Sequence, residues 1–273
     1  MTTSPIIHAY PVDTLADRDP RLKGAPDMSS IRIHEGDCIA VMRQIANATV
    51  NMVLTDLPYG TTYAPWDSTI SLDELWAEWL RITKPNAAIV LTASQPFTSA
   101  LVMSRPKLFR CEWIWDKVNG ANFANANRQP LKTHESVLVF ATGQTTYNPQ
   151  KTPGAKNHAQ GSSTTKFTET QLINRRAADD LSGMKFPKSI QTFPKHSSQS
   201  KLHSTQKPIE LFEYMIRSYS NEGDVILDCT AGSGTTGEAA ERSGRSAILI
   251  DNDPTCIATM RARLPNAHVE AAG

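Results

Sequence analysis

The sequence lacks the features that would indicate a membrane, a secretory or a metal-dependent protein. No apolar run approaches the roughly 18 residues that a membrane-spanning helix needs. The start, Met1–Pro5, has neither a basic nor an apolar stretch, so we expect no secretion and a cytoplasmic location in a bacterial or phage-infected cell. The four cysteines lie far apart without a Cys-x-x-Cys pair, which predicts reduced thiols, no disulfide framework and no metal.

An excess of charge of one sign is also lacking, because 28 Lys and Arg residues against 27 Asp and Glu residues give a net charge of +1. Residues 144–207 are nevertheless basic: they hold ten basic and three acidic residues, a net +7, which leaves −6 for the remainder. This segment is rich in Ser, Thr, Gln, Asn and Pro. We predict an insertion that contacts phosphate groups, and a solvated flexible loop is the alternative.

On both sides of that segment, short apolar runs alternate with amphipathic stretches. In chain order the pattern predicts strand 31–34, helix 38–46, strand 50–55, helix 71–83, strand 87–92, helix 95–103, strands 110–115 and 136–141, helix 208–220, strand 224–227, helix 235–243, strand 247–250 and helix 254–263. Such alternation is typical of an α/β protein whose largely parallel sheet is covered on both faces. Residues 1–30, with four prolines and no periodicity, are predicted to be a poorly ordered arm.

A glycine turn follows the predicted strand at 224–227. Gly232, Gly234 and Gly237 satisfy the G-x-G-x-x-G pattern, and Asp251 lies 19 residues after the first of them, at the end of the next strand. This is the fingerprint of dinucleotide binding, in which the later carboxylate binds ribose hydroxyls, so a nicotinamide oxidoreductase stays open. A turn with glycines only for close packing is a further interpretation. A P-loop is excluded because no Lys follows the glycines.

The carboxylate before these glycines favours a different nucleoside. Asp228 stands at the tip of the strand, where a pyrophosphate would need hydrogen-bond donors. An acidic group there suits a ligand with an amino group and a positive charge, such as S-adenosylmethionine.

A second strand, Val50–Thr55, ends in the tetrapeptide Asp56-Leu57-Pro58-Tyr59. Ligands of open α/β folds bind at this carboxyl edge of the sheet. The exocyclic amino nitrogen of adenine is a poor nucleophile because it is conjugated with its ring. The Asp56 carboxylate and the Leu57 carbonyl can accept both of its N–H groups and favour a pyramidal nitrogen whose lone pair faces an electrophilic methyl group. Tyr59 is predicted to stack on a base that has left the duplex.

At these two motifs the sequence resembles the β group of the DNA amino-methyltransferases. Their signature pairs an Asp-Pro-Pro-Tyr type turn with a later Asp-x-Phe-x-Gly-x-Gly type loop, here Asp56–Tyr59 and Asp228–Gly234. Leu57 replaces the first proline and still supplies a carbonyl, whereas Thr230 stands at the usual Phe position. The catalytic turn precedes the cofactor loop, which is the order of the β group.

The resemblance covers residues 31–264 and implies a Rossmann-like methyltransferase fold with a mostly parallel seven-stranded sheet. The catalytic and cofactor-binding domain would comprise residues 31–143 and 205–273, with a target-recognition insertion at 144–204. It further implies S-adenosylmethionine as cofactor, double-stranded DNA as substrate and a homodimer. An initial Asp in the tetrapeptide goes with adenine N6, whereas cytosine N4 enzymes more often begin with Ser.

Further segments carry the same resemblance. Gly36-Asp37 resembles the turn whose acid contacts the cofactor adenine, His203–Pro208 resembles a His-x-Thr-Gln-Lys-Pro segment, and Trp115-Asp-Lys117 and His134-Glu135 resemble segments near the catalytic cleft. The implied cofactor pocket is Asp37, Thr205, Lys207, Asp228, Gly232, Gly234, Thr235 and Asp251. Thr205 and Pro208 also suit a simple helix start, as cap and first-turn proline.

DNA contacts are predicted from exposed cationic side chains. These are Arg128, Arg175, Arg176, Lys185 and Lys188. The sequence as a whole predicts a site-specific methyltransferase that acts on adenine N6 by base flipping and direct in-line transfer, without a covalent enzyme intermediate. Cytosine N4 methylation and a DNA-binding regulator that has lost catalysis remain alternatives.

Overall fold

The computed structural model describes residues 30–60, 70–154, 183–194 and 206–271. Within them, a central sheet carries helices on both faces. Its strands are β1 (Ile31–Glu35), β2 (Val50–Thr55), β3 (Thr83–Ala93), β4 (Phe109–Ala121), β5 (Lys132–Phe140), β8 (Ile190–Thr192), β9 (Val225–Asp228), β10 (Ser246–Asp251) and β11 (His268–Ala271). A separate two-stranded ribbon pairs β6 (Thr152–Pro153) with β7 (Met184–Lys185).

Within the described residues, six α-helices flank the sheet: α1 (Cys38–Gln44), α2 (Leu72–Ile82), α3 (Phe97–Ser104), α4 (Ile209–Tyr219), α5 (Thr235–Arg242) and α6 (Pro254–Arg263). The first three contribute to one apolar core and the last three to the other, on the opposite face of the sheet. The inner strand β2 faces both cores, since Met52 and Leu54 belong to one and Val53 to the other. The sequence of a strand that is buried on both faces is a nearly continuous apolar run, and this run predicts β2 from the sequence alone.

The strand order is β11-β1-β10-β9-β2-β3-β5-β4-β8. Neighbouring strands are parallel except at β5, which runs antiparallel to both β3 and β4. The predicted number of seven strands is wrong, because β8 and β11 add an edge strand on each side. These strands have only three and four residues, and their pairing with β4 and β1 defines them rather than an apolar pattern of their own.

The chain reverses direction across the sheet between β9 and β2. From β9 it proceeds to β10 on one side, and from β2 it proceeds to β3 on the other, while β9 and β2 themselves pair with Val53 opposite Leu227. Open α/β sheets bind ligands at the carboxyl ends of strands at such a switch point. The tetrapeptide after β2 and the glycine turn after β9 therefore lie side by side.

Parts of the predicted insertion at 144–204 are joined to this fold. β8 pairs with β4, the Phe193 N–H donates to the Asp116 carbonyl, and the Trp115 indole N–H donates to the Phe193 carbonyl. At the other end, the Asn148 N–H donates to the Ser218 carbonyl of α4. Residues 1–29, 155–182 and 195–205 lie outside the described residues, so the predicted arm and most of the basic segment stay predictions.

No helix among the described residues is long and apolar enough to span a membrane. The same residues contain no group of three or more His, Cys, Asp or Glu side chains suited to a metal ion. The predicted homodimer stays a prediction, because a single chain does not test it.

Candidate functional site

The Asp56 carboxylate is held by donors from three different parts of the chain. The Tyr59 hydroxyl donates to its Oδ1 over 2.7 Å, and the Thr92 hydroxyl at the end of β3 donates to the same oxygen. The Lys207 ammonium donates to Oδ2. The side chain remains 24% exposed, so it is fixed without being sealed from a ligand.

Lys207 was predicted to bind the cofactor; its ammonium pairs with the Asp56 carboxylate, and a contact with the cofactor stays a prediction. Its Nζ ion-pairs with Asp56 and lies 3.6 Å from Oε2 of Glu135 and 5.7 Å from the centre of the Tyr59 ring. Pro208 occupies the N-cap position of α4, one residue before the first turn in which it was predicted. Its position before α4 brings Lys207 to the carboxyl edge of β2.

Tyr59 is oriented by its neighbours. Its ring stacks on Phe97 at 5.3 Å between ring centres, and its hydroxyl is bonded to Asp56. Burial, together with the nearby Asp56 charge, raises the pKa of Tyr59 well above its usual value, so the hydroxyl stays a donor at neutral pH. Phe97 covers part of the ring, and the predicted stacking on a target base stays a prediction.

Thr230, which stands where the family pattern has Phe, links the two predicted motifs. Its hydroxyl donates to the Asp56 carbonyl over 3.1 Å and lies 2.7 Å from the Thr55 hydroxyl. The Thr55 hydroxyl in turn bonds Oδ1 of Asp228 at 2.7 Å. A phenylalanine could not make these bonds, so this chain ties the catalytic turn to the glycine turn through hydroxyl groups.

The Asp228 carboxylate is buried, with only 3% of the residue exposed. Its Oδ1 accepts from the Thr55 hydroxyl and the Thr230 N–H, and its Oδ2 accepts from the Thr236 hydroxyl of α5. Burial raises the pKa of Asp228 to about 6, although the three hydrogen bonds oppose the rise. A direct contact with the cofactor's amino group would need Oδ2 to accept a further bond, and it stays a prediction.

The stability of an Asp228→Asn variant relative to wild type is expected to rise with pH. In the unfolded chain the Asp228 carboxyl has its ordinary pKa of about 4, whereas its pKa in the folded protein is about 6. Burial of the charge therefore costs no free energy of unfolding below about pH 4 and its full amount above about pH 6. Urea unfolding should show the variant gaining up to roughly 3 kcal/mol over wild type between pH 4 and pH 7. The exposed Asp73→Asn variant is the control, and a gain independent of pH would contradict the assignment.

Asp251, the residue predicted to bind the ribose, accepts hydrogen bonds from the backbone of the glycine turn and of the loop after β10. The Gly232 N–H donates to Oδ2 of Asp251 over 2.8 Å, and the Asp253 N–H donates to Oδ1 over 2.9 Å. Gly234 has a φ of +77°, and a Cβ at this position would lie 2.8 Å from the Met260 side chain, so any larger residue would clash there. Gly232 has a φ of +53° with no atom within 4 Å of its Cβ position, so its backbone faces open space.

Asp37 lies on the same edge as Asp251. The strands β1 and β10 pair with Glu35 opposite Asp251, and the Gly36 N–H donates to the Asp251 carbonyl over 2.9 Å. The exposed Asp37 side chain caps α1 by accepting from the Ala40 N–H. Its position fits the predicted contact with the cofactor, and the cap alone also explains an Asp there.

The remaining predicted residues are scattered. Thr235 is buried, and its hydroxyl accepts from Arg263 over 3.2 Å, so it packs towards α6. Arg128 and Lys188 are exposed and Lys185 is half-buried, while Thr205, Arg175 and Arg176 lie outside the described residues.

Several residues that contact the site were not predicted as site residues. Thr55 and Thr92 carry no sequence signal, because a threonine at the end of a strand is common. Lys117 and Glu135 stand in the two segments that resemble family segments near the catalytic cleft, and that resemblance was the usable signal; the structure pairs the two side chains.

Comparisons with known proteins assign the family of this chain. The DNA methylase model for N6 and N4 amino groups matches residues 50–261. The chain belongs to this N6/N4 DNA methylase family. The assignment confirms the predicted α/β methyltransferase fold, a DNA methyltransferase activity and S-adenosylmethionine as the cofactor.

Sequence alignments and structural superpositions with individual relatives extend over most of this N6/N4 methylase. It is 29% identical to the type II methyltransferase M1.MboII of Moraxella bovis over 81% of this chain and 91% of that protein. A crystal structure of M1.HpyAVI with S-adenosylmethionine superposes with a TM-score of 0.59 at 22% identity, over 86% of this chain and 100% of that one. The cytosine-N4-specific PvuII methyltransferase superposes with a TM-score of 0.58 at 15% identity, over 85% and 86%.

Proposed function

We propose that this protein methylates N6 of adenine in double-stranded DNA. The observation that carries the proposal is the joined pair of motifs at the β9/β2 switch point, where Thr230 bonds the Asp56 carbonyl and Thr55 bonds Asp228. This places an anionic acceptor for an amino group directly beside a glycine turn of nucleoside-binding type. The initial Asp of the tetrapeptide, through the family resemblance, supports adenine over cytosine.

The residues at the glycine turn fit S-adenosylmethionine. Asp251 keeps lone pairs for ribose hydroxyls while its oxygens hold the Gly232 and Asp253 N–H groups, and the open space at Gly232 leaves room for the ligand. Asp37 would contact the adenine end, and the predicted Thr205 would complete the pocket. When bound, this cofactor supplies an electrophilic methyl group.

The hydrogen bonds of Asp56 decide which of its oxygens receives the target. Oδ1 already accepts two bonds, from Tyr59 and Thr92, whereas Oδ2 accepts one from Lys207. A carboxylate oxygen has about two acceptor sites, so Oδ2 is the oxygen that can accept the amino N–H. The second N–H would donate to the Leu57 carbonyl. Both bonds withdraw the nitrogen lone pair from the ring and direct it at the methyl group.

The Asp56 carboxylate and the Leu57 carbonyl together form a clamp for the amino group. The target base must leave the duplex to reach this clamp, because an amino group inside a stacked base pair cannot reach the end of a β-strand. Cationic side chains of the basic segment would contact the phosphates and offset the cost of unstacking by releasing counterions. Arg128 and Lys188 are exposed and would contribute, together with the predicted Arg175 and Arg176.

The test is to incubate the purified protein with tritiated S-adenosylmethionine and unmethylated duplex DNA of mixed sequence, digest the DNA, and identify the labelled nucleoside. Label in N6-methyladenosine is the expected result. Label in N4-methylcytosine would keep the clamp and overturn the choice of base. Cofactor-independent DNA binding without label would favour the regulator that has lost catalysis.

A further inference from the structure

The proposed catalytic carboxylate of Asp56 begins a row of four charged side chains of alternating sign. Lys207 pairs with Asp56 at the front and lies 3.6 Å from Oε2 of Glu135 behind it. The other oxygen of Glu135, Oε1, accepts from the Lys117 ammonium over 3.0 Å. The order Asp56, Lys207, Glu135, Lys117 is neutral overall, and the Asp56 side chain is the most exposed of the four, at 24%.

The row is enclosed by the protein. Lys117 is 2% exposed and Lys207 9%, values that Lys residues rarely reach unless they are paired. Burial tends to lower the pKa of Lys207, but the charges of Asp56 and Glu135 more than offset it and raise the pKa above its usual value. Lys207 therefore stays protonated at neutral pH.

The four residues come from four separate elements. Asp56 follows β2, Lys117 and Glu135 lie on the adjacent antiparallel strands β4 and β5, and Lys207 precedes α4. Helix and sheet packing alone does not require charges here, and burying them is costly unless each one is paired. Their placement directly behind the proposed clamp indicates that they serve it.

We propose that Glu135 and Lys117 are positioning residues for methyl transfer, which hold the Lys207 ammonium against Oδ2 of Asp56 and so orient that oxygen towards the target amino group. This inference rests on the proposed function and assigns residues that form no part of the clamp itself. A lysine has a long flexible stem, and a single carboxylate would fix its head poorly. The second carboxylate restricts the head from behind, and Lys117 in turn holds that carboxylate.

A positioning role and a purely structural ion pair predict changes in different measured quantities. A structural pair would change the free energy of unfolding and leave the turnover of folded protein unchanged. A positioning row would lower kcat while the KM for DNA and the Kd for S-adenosylmethionine stay near wild type, because Glu135 contacts neither ligand in the proposed arrangement.

The test variant is Glu135→Gln, which keeps the shape and removes the charge. We expect kcat to fall by at least about 10-fold, since displacing a reacting group by 1 Å costs about 100-fold. Glu135→Asp should recover part of the loss. The matched control is Glu78→Gln, because the Glu78 side chain is 14% exposed against 13% for Glu135 and ion-pairs with Arg81, whereas Glu135 ion-pairs with both Lys117 and Lys207. That control should keep the wild-type kcat.

A second readout does not depend on turnover. The Lys207 ammonium should give a slowly exchanging ¹⁵N signal in NMR spectra, since carboxylates shield its protons from water. Glu135→Gln should speed that exchange, and Glu78→Gln should not. Lys117→Met is the companion variant and should reproduce the loss in kcat, because it frees Glu135 from behind.

Each outcome decides a different claim. A Glu135→Gln variant with wild-type kcat and a wild-type Lys207 signal overturns the positioning role and leaves the proposed function standing. A kcat loss shared equally by Glu78→Gln also overturns it, because the cause would then be general destabilisation. A wild-type protein that methylates no base overturns the proposed function and the role of Glu135 together.

Discussion

Replacing Asp56 with alanine is expected to lower the rate of methyl transfer by about 1000-fold or more while cofactor binding stays nearly unchanged. The variant removes the acceptor for the amino group and leaves Lys207, Tyr59 and Thr92 without their shared carboxylate. The glycine turn and Asp251 are untouched. Single-turnover transfer of tritiated methyl groups to DNA measures the first effect, and calorimetric titration with S-adenosylmethionine measures the second.

Two further variants show whether the loss comes from the clamp. Asp73→Ala removes an exposed carboxylate that pairs with Arg105 over 2.9 Å, and it should keep full activity. Asp56→Asn keeps the shape and one acceptor oxygen but not the charge, so it should retain more activity than alanine. Substantial methylation by Asp56→Ala would contradict the role of the carboxylate in any form.

Replacing Asp251 with alanine is expected to weaken S-adenosylmethionine binding about 100-fold. The substitution removes the acceptor for the ribose hydroxyls and also opens the turn, because the Gly232 N–H loses its partner at 2.8 Å. Hydrogen bonds to a charged group contribute about 1.5–3 kcal/mol each, and about 1.4 kcal/mol corresponds to tenfold in affinity. At saturating cofactor, kcat should recover towards wild type.

Asp224→Ala is the matched control for this loss of affinity. Asp224 also accepts two hydrogen bonds, from the Asn51 amide over 2.5 Å and the Asn221 N–H over 2.7 Å. It precedes β9 and therefore lies at the opposite end of the sheet from the glycine turn. Both variants should lose stability, and only Asp251→Ala should lose affinity. If Asp251→Ala and Asp224→Ala bound S-adenosylmethionine with equal affinity, the result would contradict a role for Asp251 in the cofactor pocket.

The assignment of Lys207 shows where a motif stops being informative. The sequence placed it in a segment associated with the cofactor, and the structure puts its ammonium on Asp56, 151 residues away along the chain. Nothing within the segment itself states which of two neighbouring ligand sites a long side chain will reach. That choice depends on how α4 packs beside β2.

The edge strands show a second limit. The inner strands β2, β9 and β10 are buried on both faces, so their apolar runs predicted them almost to the residue. β8 and β11 lie at the edges and are short and mostly polar, which left no pattern to read. Their existence depends on the partner strand, and a partner is a tertiary feature.

The sequence by itself determined the α/β class, the two motifs at strand ends and the family, because burial periodicity and local turn chemistry are properties of contiguous residues. Only the tertiary structure decided how the charges around Asp56 pair, that Thr230 joins the two motifs, and that Asp228 is enclosed by hydroxyl groups. The Lys207–Asp56 pair joins residues 151 positions apart, and the hydroxyl bonds of Thr55 to Asp228, of Thr230 to Asp56 and of the two threonines to each other join residues 173 to 175 positions apart. Such distant side chains meet only once the sheet has set the order and register of its strands.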